Sequence, residues 1–385
     1  SKENLEQNEA MVKSIWNSWS SVIAQSREIS LDKLNALLDN LSLNSAQDFI
    51  DNGLVDEALS REELGEKLAT FYLADSADDL KYIPFTDYVT TKKTALNLSD
   101  KKVAVIFADG NIVDGKEKQQ VAGDHFASII AKIRKDPAVK AVVLRVNSPG
   151  GSVLASEKIK AELDLLRENG VPVIASFGDY AASGGYWISS NCDYIFANRT
   201  SLTGSIGVFS LIPDLGGAIK NKLHVNITSV NATKHADMYN GFRALDPQET
   251  AYMQASVENI YDKFTKLVSE GRDMPVSRVD ELAQGRVWTG AEALEIGLVD
   301  EIGTLEDALR YAAICIDGVE GLEQVQIAEY PKPLSTMESI LESLGASEGV
   351  FAGTSLESVE KAFKEAGATE AGKAYARLPY EISFR

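Results

Sequence analysis

The segment that decides the fold is Phe177-Gly-Asp-Tyr-Ala-Ala-Ser-Gly-Gly-Tyr-Trp187, which follows the apolar run of residues 171–176. This pattern predicts a buried strand, a tight turn at Ser183 and a helix over residues 183–191. The glycines after Ser183 let another backbone approach closely, and the free amides at a helix N-terminus favour developing negative charge. Ser183 is therefore a candidate nucleophile, and the simplest alternative is an ordinary turn and helix cap.

A glycine pair upstream favours the nucleophile. Residues 141–146 read Ala-Val-Val-Leu-Arg-Val, a buried-strand pattern, and Asn147-Ser-Pro-Gly-Gly-Ser152 then leads into a predicted helix over residues 153–169. At this junction Gly150 and Gly151 can expose backbone N–H groups, the donors that hold an oxyanion. One strand–turn–helix unit thus carries the candidate nucleophile Ser183, and the other carries the candidate oxyanion donors Gly150 and Gly151. Acyl transfer uses both kinds of group.

Strand and helix patterns alternate on both sides of these two units. Such alternation predicts an α/β fold with a mainly parallel sheet and flanking helices. Beyond residue 330 the sequence is irregular, and we expect a weakly ordered or partner-dependent extension over residues 331–385, with a helix near residues 356–365. The predicted strands are residues 102–107, 141–146, 173–177, 194–197 and 205–209, and the main helices are residues 124–135, 153–169, 183–191 and 251–270, the last being the longest.

The first hundred residues repeat part of a later unit. The pentapeptide Gly-Leu-Val-Asp-Glu occurs at residues 53–57 and again at residues 297–301. Spaced matches extend upstream, so that Arg27 corresponds to Arg272 and Ser45 to Thr289, and residues 8–24 have the spacing of an amphipathic helix. A long self-similar period indicates two copies of one unit. We therefore divide the chain into a partial copy (1–98), a complete copy (99–330) and an extension (331–385).

Four motifs together resemble the signal peptide peptidase A (protease IV) family of serine peptidases over about residues 102–309. They are Asn147-Ser-Pro-Gly-Gly-Ser152, Ala181-Ala-Ser-Gly-Gly-Tyr-Trp-Ile188, Leu202-Thr-Gly-Ser-Ile-Gly207 and Gly285-Arg-Val-Trp-Thr-Gly290. The resemblance implies a ClpP/crotonase-like repeat, a nucleophile at Ser183 and a lysine general base. Long members of the family are tandem repeats, which implies that residues 1–98 are the helical C-terminal part of an upstream repeat.

The resemblance also implies a function and a location. We expect a serine endopeptidase that cleaves apolar peptides, such as remnant signal peptides, through an acyl-enzyme on Ser183 stabilised by Gly150 and Gly151. The family implies a homo-oligomer at the inner membrane, facing the periplasm. Two alternatives remain open: a crotonase-like acyl-CoA enzyme, which needs oxyanion donors and no serine nucleophile, and a non-catalytic scaffold.

The general base has several candidates. His125, His224 and His235 fall on a helix, in an amphipathic segment and in a polar loop, and we interpret them as surface or packing residues, which disfavours a Ser-His-Asp triad. A desolvated lysine can take the serine proton near neutral pH. Lys234 is one candidate, and the long form of the family implies instead a lysine upstream of residue 1. We further expect Ser205 to hydrogen-bond the lysine amine.

Composition disfavours several kinds of binding partner and site. A net charge of −19 and a pI near 4.7 disfavour binding to nucleic acid or to an anionic membrane surface. Cys192 and Cys315 lie in apolar contexts without a ligand cluster, so we expect two buried thiols, no metal site and no cofactor. No run reaches the ~18 apolar residues of a spanning helix, so we expect any membrane anchor to lie in a segment before residue 1.

Overall fold

The computed structural model describes residues 1–92, 99–332 and 374–377. Within these residues the strands are β1 (Lys102–Asp109), β2 (Ile112–Val113), β3 (Val121–Ala122), β4 (Val139–Ser148), β5 (Gly150–Ser152), β6 (Val173–Ala182), β7 (Tyr194–Ala197), β8 (Leu202–Gly204), β9 (Phe209–Ser210), β10 (Val287–Thr289), β11 (Glu301–Ile302), β12 (Gln326–Tyr330) and β13 (Ala374–Arg377).

Helices connect most of the strands. In the same described residues they are α1 (Lys2–Ser26), α2 (Leu31–Asp39), α3 (Ala46–Asp51), α4 (Arg61–Phe71), α5 (Phe85–Lys92), α6 (Gly123–Lys135), α7 (Val153–Glu168), α8 (Gly184–Trp187), α9 (Gly216–Leu223), α10 (Pro247–Gly271), α11 (Val276–Leu282), α12 (Gly290–Glu295) and α13 (Leu305–Ile314). Short 3₁₀ turns lie at Ala77–Asp79 and Leu322–Gln324.

The main sheet has the strand order β10-β8-β6-β4-β1-β12, with β7 beside the first half of β6 and β11 beside β7. Its strands are parallel except at the β10–β8 pair. The predicted α/β class with a mainly parallel sheet is therefore confirmed. A second, smaller sheet has the order β3-β2-β5-β13-β9.

Both faces of the main sheet are covered, as expected for parallel strands with continuous apolar runs. Along β4, Val142 and Leu144 belong to one buried cluster, and Val143 belongs to another. Residues of α6, α7 and α10 complete the first cluster, while Ala308 and Ala312 of α13 lie in the second. The alternating side chains of one strand thus pack against helices on both sides.

The chain divides into two compact units, residues 12–98 and a larger unit with residues 1–11 and 99–385. In the described part, the smaller unit is helical. Serine hydroxyls cap three of its helices: Ser30 accepts a hydrogen bond from Lys33 N–H at the start of α2, and Ser45 and Ser60 form reciprocal capping boxes at the starts of α3 and α4. Leu34 and Ala69 are among its buried apolar residues.

Several predicted elements change in extent. β6 continues to Ala182, so the predicted helix over 183–191 shrinks to the four residues of α8. The predicted strand over 205–209 is wrong, because positive φ at Ser205 ends β8 at Gly204 and pairing resumes only at Phe209. α10 spans 25 residues, and α1 is equally long. The helix expected near residues 356–365 lies outside the described residues.

Candidate active site

Ser183 lies at the turn between β6 and α8. It has φ 54° and ψ −112°, a conformation that side chains rarely adopt and that costs of order 1–3 kcal/mol. Two backbone hydrogen bonds hold this turn: Ser183 N–H donates to Gly204 O at 2.8 Å, and Trp187 N–H donates to Ser183 O at 2.8 Å. The predicted strand–turn–helix setting of the serine is thus present, with a strained residue at its corner.

The Ser183 hydroxyl is buried and only loosely held. Its Oγ lies 3.5 Å from the carbonyl oxygen of Gly207, longer than an ordinary O–H···O hydrogen bond. No lysine amine or imidazole is hydrogen-bonded to this Oγ among the residues that the structure describes. The hydroxyl thus contacts the backbone carbonyl of Gly207.

Gly150, which follows β4, lies near the Ser183 turn. The β4–β6 register shifts after Val146, and Ser148 then pairs with Ala181, two residues before the serine. A Cβ on Gly185 would lie 2.8 Å from Ser148 O, so glycine permits this close approach of the two turns. Gly150 itself has φ 100°, and its N–H donates to Ser148 Oγ at 3.2 Å.

Gly151 is fixed by neighbours on both sides. It pairs with Ile112 of β2 in parallel and with Ala376 of β13 in antiparallel orientation. A Cβ on Gly151 would lie only 1.9 Å from Ile112 O, so no side chain fits here without backbone movement. The structure thus brings Gly150 and Gly151 beside the Ser183 turn as a stretch of extended backbone that begins at Gly150. We call this stretch, Gly150–Ser152, the glycine edge.

An extended segment from the C-terminal region pairs along this edge. β13 (Ala374–Arg377) is antiparallel to β5 on one side and to β9 on the other. It also lies close to α8, the helix that starts directly after Ser183. Residues 374–377 of the extension thus form a paired strand, and the expectation of a weakly ordered or partner-dependent extension stays a prediction. We call the groove between β5 and β9 the strand-accepting groove.

Ser205 is close to the nucleophile along the sheet. Gly204, which accepts the Ser183 amide hydrogen bond, immediately precedes it. Ser205 is buried, has φ 47°, and donates its N–H to Arg286 O at 2.7 Å. The structure thus brings Ser205 near Ser183, as the sequence predicted for a supporting residue, while its proposed contact with a lysine stays a prediction.

Lys234 is not brought to this corner by any hydrogen bond of the described residues. Its Nζ donates to Gln248 Oε1 at 2.8 Å in an exposed setting at the start of α10. His235, the next residue, contacts Glu249 through Nδ1 at 2.8 Å. Of the other histidines, His125 lies on α6 and His224 caps α9 in the left-handed conformation.

An ion-pair network occupies the region around His235. The Arg243 guanidinium donates to Glu249 Oε2 and to Asp237 Oδ1, each at 2.7 Å. These hydrogen bonds from Arg243 lower the pKa of Asp237 to about 2 and also lower the pKa of Glu249. His235, Asp246 and Glu249 are close enough to share a cation, but Arg243 already engages both oxygens of Glu249. We therefore interpret this cluster as a structural network.

Tyr186 and Trp187 anchor the Ser183 turn to the protein core, a role that was not predicted from the sequence. The Trp187 indole is buried, donates to Glu157 Oε1 at 2.6 Å and packs against Phe264 with ring centroids 4.5 Å apart. Tyr186 donates its hydroxyl to Leu298 O at 2.8 Å, and burial raises its pKa. Tyr186 and Trp187 directly follow Ser-Gly-Gly in the sequence, and two such large aromatic side chains could have predicted this buried packing.

The two cysteines differ from each other. Cys192 is buried as predicted, and burial raises the pKa of its thiol to about 12. Cys315 is exposed, so the expectation of a second buried thiol is wrong. It caps the C-terminal end of α13, next to the exposed Ile314. None of the helices in the described residues has the length and apolar character needed to span a membrane.

A mainly parallel α/β sheet that carries a strained serine beside a glycine edge defines a ClpP-like hydrolase architecture. The family model for peptidase family S49 matches residues 166–317. Protease 4 of Haemophilus influenzae is 39% identical over 308 residues, which cover 77% of this chain and 50% of that protein. Protease 4 of Salmonella typhi is 37% identical over 341 residues, 86% of this chain and 54% of that protein.

A putative protease of Synechocystis is 34% identical over 258 residues, 65% of this chain and 90% of that protein. This chain therefore belongs to peptidase family S49, and the resemblance to the signal peptide peptidase A (protease IV) family is confirmed. It spans about half the length of the two Protease 4 relatives.

Proposed function

We propose that this chain carries the nucleophile and oxyanion donors of a serine endopeptidase. The observation that carries this proposal is the antiparallel pairing of Tyr375–Arg377 with Gly150–Ser152. It supports a site where an extended backbone lies beside Ser183, and recognition by main-chain hydrogen bonds to a sheet edge is a common way to bind peptides. Membership of peptidase family S49 agrees with this reading.

In the proposed reaction Ser183 Oγ forms a bond to the scissile carbonyl carbon while its proton passes to a general base. The carbonyl oxygen becomes an oxyanion held by the Gly150 N–H, which exchanges its hydrogen bond to Ser148 Oγ for one to the oxyanion. The second donor is the Gly184 N–H, which belongs to the first turn of α8, where amides have no partner within the helix. The C–N bond then breaks, the base protonates the leaving amine, and water hydrolyses the acyl-enzyme.

The general base is a lysine whose pKa falls when its amine is desolvated. Lys234 is exposed and bonded to Gln248, which disfavours it for this role. We place the base instead on an upstream repeat, consistent with the chain spanning about half of its Protease 4 relatives. The complete active site is then assembled from two repeats, either within one long chain or between subunits.

Hydrogen bonds support the assignment of residues 1–98 to an upstream repeat. Arg27 donates to Gly53 O at 2.9 Å and bonds Asp56, and the corresponding Arg272 donates to Gly297 O at 3.0 Å and bonds Asp300. We call these two arrangements the arginine clamps. A second pair matches equally: Trp16 Nε1 donates to Asn35, and Tyr261 Oη donates to Asp280. Each pair lies 244 or 245 positions apart, as in the sequence repeat.

Exposure differs between matched positions of the two copies. Phe264 and Val299 are 0% and 2% exposed in the complete copy, whereas the matched Trp19 and Val55 are 54% and 38% exposed. Val22 and Ile23 are likewise exposed where Leu267 and Val268 are buried. These apolar residues of the partial copy match positions that pack on a sheet in the complete copy, which supports a covering sheet of the same fold supplied by the upstream repeat.

For the natural substrate and location the proposal rests on the family resemblance. The substrates are apolar peptides such as remnant signal peptides, and the enzyme is a homo-oligomer at the periplasmic side of the inner membrane. The rival acyl-CoA activity is disfavoured, because it has no use for a strained serine at the corner of the glycine edge.

The test is active-site labelling with a fluorophosphonate probe, with the upstream repeat supplied, followed by peptide mapping. Label on Ser183 supports the peptidase, and Ser183→Ala should remove both label and peptide hydrolysis without unfolding the chain. Ser176→Ala is the matched control, because Ser176 is equally buried and lies on β6, the strand that leads to Ser183. Persistent hydrolysis by a folded Ser183→Ala protein would refute the assignment.

The position of the base needs a separate test. Without the upstream lysine, hydrolysis should be slower by roughly 10²–10⁴-fold, the usual loss on removal of a general base. Adding the upstream repeat, covalently or as a folded piece, should restore turnover. If the isolated chain is already efficient and Lys234→Ala silences it without unfolding, the base lies within residues 1–385 instead.

A further inference from the structure

β13 is the central strand of the local sheet around the glycine edge. Tyr375 has a partner on each side, Ser152 of β5 and Phe209 of β9. A strand inserted between two others uses the hydrogen-bonding groups of both neighbouring edges. The strand-accepting groove is therefore filled by the chain itself.

The direction of β13 brings the chain toward the serine turn. β5 runs from Gly150 to Ser152, so its antiparallel partner runs from Tyr375, opposite Ser152, to Arg377, opposite Gly150. Its backbone thus arrives at the glycine that we assign as an oxyanion donor. A peptide substrate held by the same edge would need the same backbone groups, and one edge cannot pair with two strands at once.

We propose that Ala374–Arg377 is an intramolecular competitor that closes the strand-accepting groove against other extended peptides. This inference rests on the proposed function, because it takes the groove to be the peptide site of the enzyme. The ligand that displaces the segment is any unstructured peptide able to adopt an extended conformation, recognised through its main chain.

The physical basis of this inhibition is effective concentration. A tethered segment competes as if present on the order of millimolar, so a free peptide at lower concentration binds poorly until the segment leaves. The described segment is only four residues long, so few ladder hydrogen bonds hold it. Closure of this kind is reversible, and peptide substrates that pair over a longer stretch can replace the segment.

The experiment uses the full chain with Ser183→Ala throughout, so that no probe is cleaved. A fluorescein-labelled, unstructured alanine–leucine peptide is titrated, and its affinity is measured by fluorescence anisotropy. Ala376→Pro removes a backbone N–H from a central strand, where proline is not tolerated. We expect roughly tenfold tighter binding, the size of change that loss of one hydrogen bond produces. Ala368→Pro, which places the same residue earlier in the tail, should leave the affinity unchanged.

A second measurement covers the case in which Ala376→Pro perturbs folding. Hydrogen exchange on the Ser183→Ala chain should show protected amides at residues 374–377 that lose protection when the peptide saturates the groove. Peptide binding with these amides still protected, or equal affinity in a folded Ala376→Pro protein, would overturn the inference. Failure of the proposed function has a different signature: with the upstream repeat supplied, wild-type Ser183 would resist the fluorophosphonate probe whether or not the segment is displaced.

Discussion

A single methyl group on Gly151 should disable the site, and the structure sets the size of the effect. The Cβ of Gly151→Ala would lie 1.9 Å from Ile112 O, whereas real Cβ contacts essentially never fall below 3.0 Å. The two backbones must therefore separate by about 1.1 Å. Because β5 begins at Gly150, this movement also displaces the amide that we assign to the oxyanion.

We expect two measurable consequences of Gly151→Ala. A displacement of about 1 Å in a reacting geometry costs about 10²-fold in rate, so kcat/KM for peptide hydrolysis should fall by that order. Disturbed pairing between β2 and β5 should lower the free energy of unfolding by about 1–3 kcal/mol. Peptide hydrolysis and urea denaturation measure the two effects, with the upstream repeat supplied where turnover requires it.

Gly217→Ala is the matched control. A Cβ there meets nothing within 4 Å, and the residue lies on the exposed side of α9. This change should leave kcat/KM unaltered and stabilise the helix slightly, by about 0.5–1 kcal/mol at most. If Gly151→Ala instead kept the wild-type kcat/KM, the glycine edge would not position the oxyanion donor, and the proposed mechanism would need another donor.

Two further predictions concern stability and thiol reactivity. Arg272→Met should lower the free energy of unfolding by about 3–5 kcal/mol in urea denaturation, because the arginine is 8% exposed and its loss leaves the Asp300 carboxylate without a cation. Arg27→Met in the exposed clamp should have a much smaller effect, and equal losses would contradict this. Ellman's reagent should modify Cys315 in the native protein and Cys192 only after denaturation. The reason is that Cys192 is buried and that burial raises the pKa of its thiol to about 12. Two fast-reacting thiols in the native protein would be inconsistent with the structure.

The local chemistry of the chain was enough to predict the serine turn. The apolar run before Ala-Ser-Gly-Gly predicts a buried strand, and the glycines predict a tight turn at Ser183. The structure contains both, and Gly185 permits the close approach to Ser148. Gly150 and Gly151 were predictable for the same reason. The parallel sheet followed from the alternation of strands and helices, since each strand is buried on both faces.

What the sequence did not reveal depends on partners distant in the chain. β13 pairs with strands more than 160 residues earlier, and no local pattern in residues 374–377 identifies them. The strand predicted at residues 205–209 failed because Ser205 takes a positive φ that its sequence does not signal. Cys315 was misjudged because its apolar neighbours suggest burial, whereas Cys315 ends α13 and is exposed, as is Ile314 beside it.

The arginine clamps have a consequence for the order of folding. Each clamp joins residues only 29 or 28 positions apart, whereas β1 must find β12 across more than 200 residues, as in the Lys102–Gln326 pair. Short loops close at lower entropic cost, and contacts of low sequence separation form faster. The clamped helical segments can thus organise early, and the parallel sheet, with its distant pairings, sets the slow phase of folding.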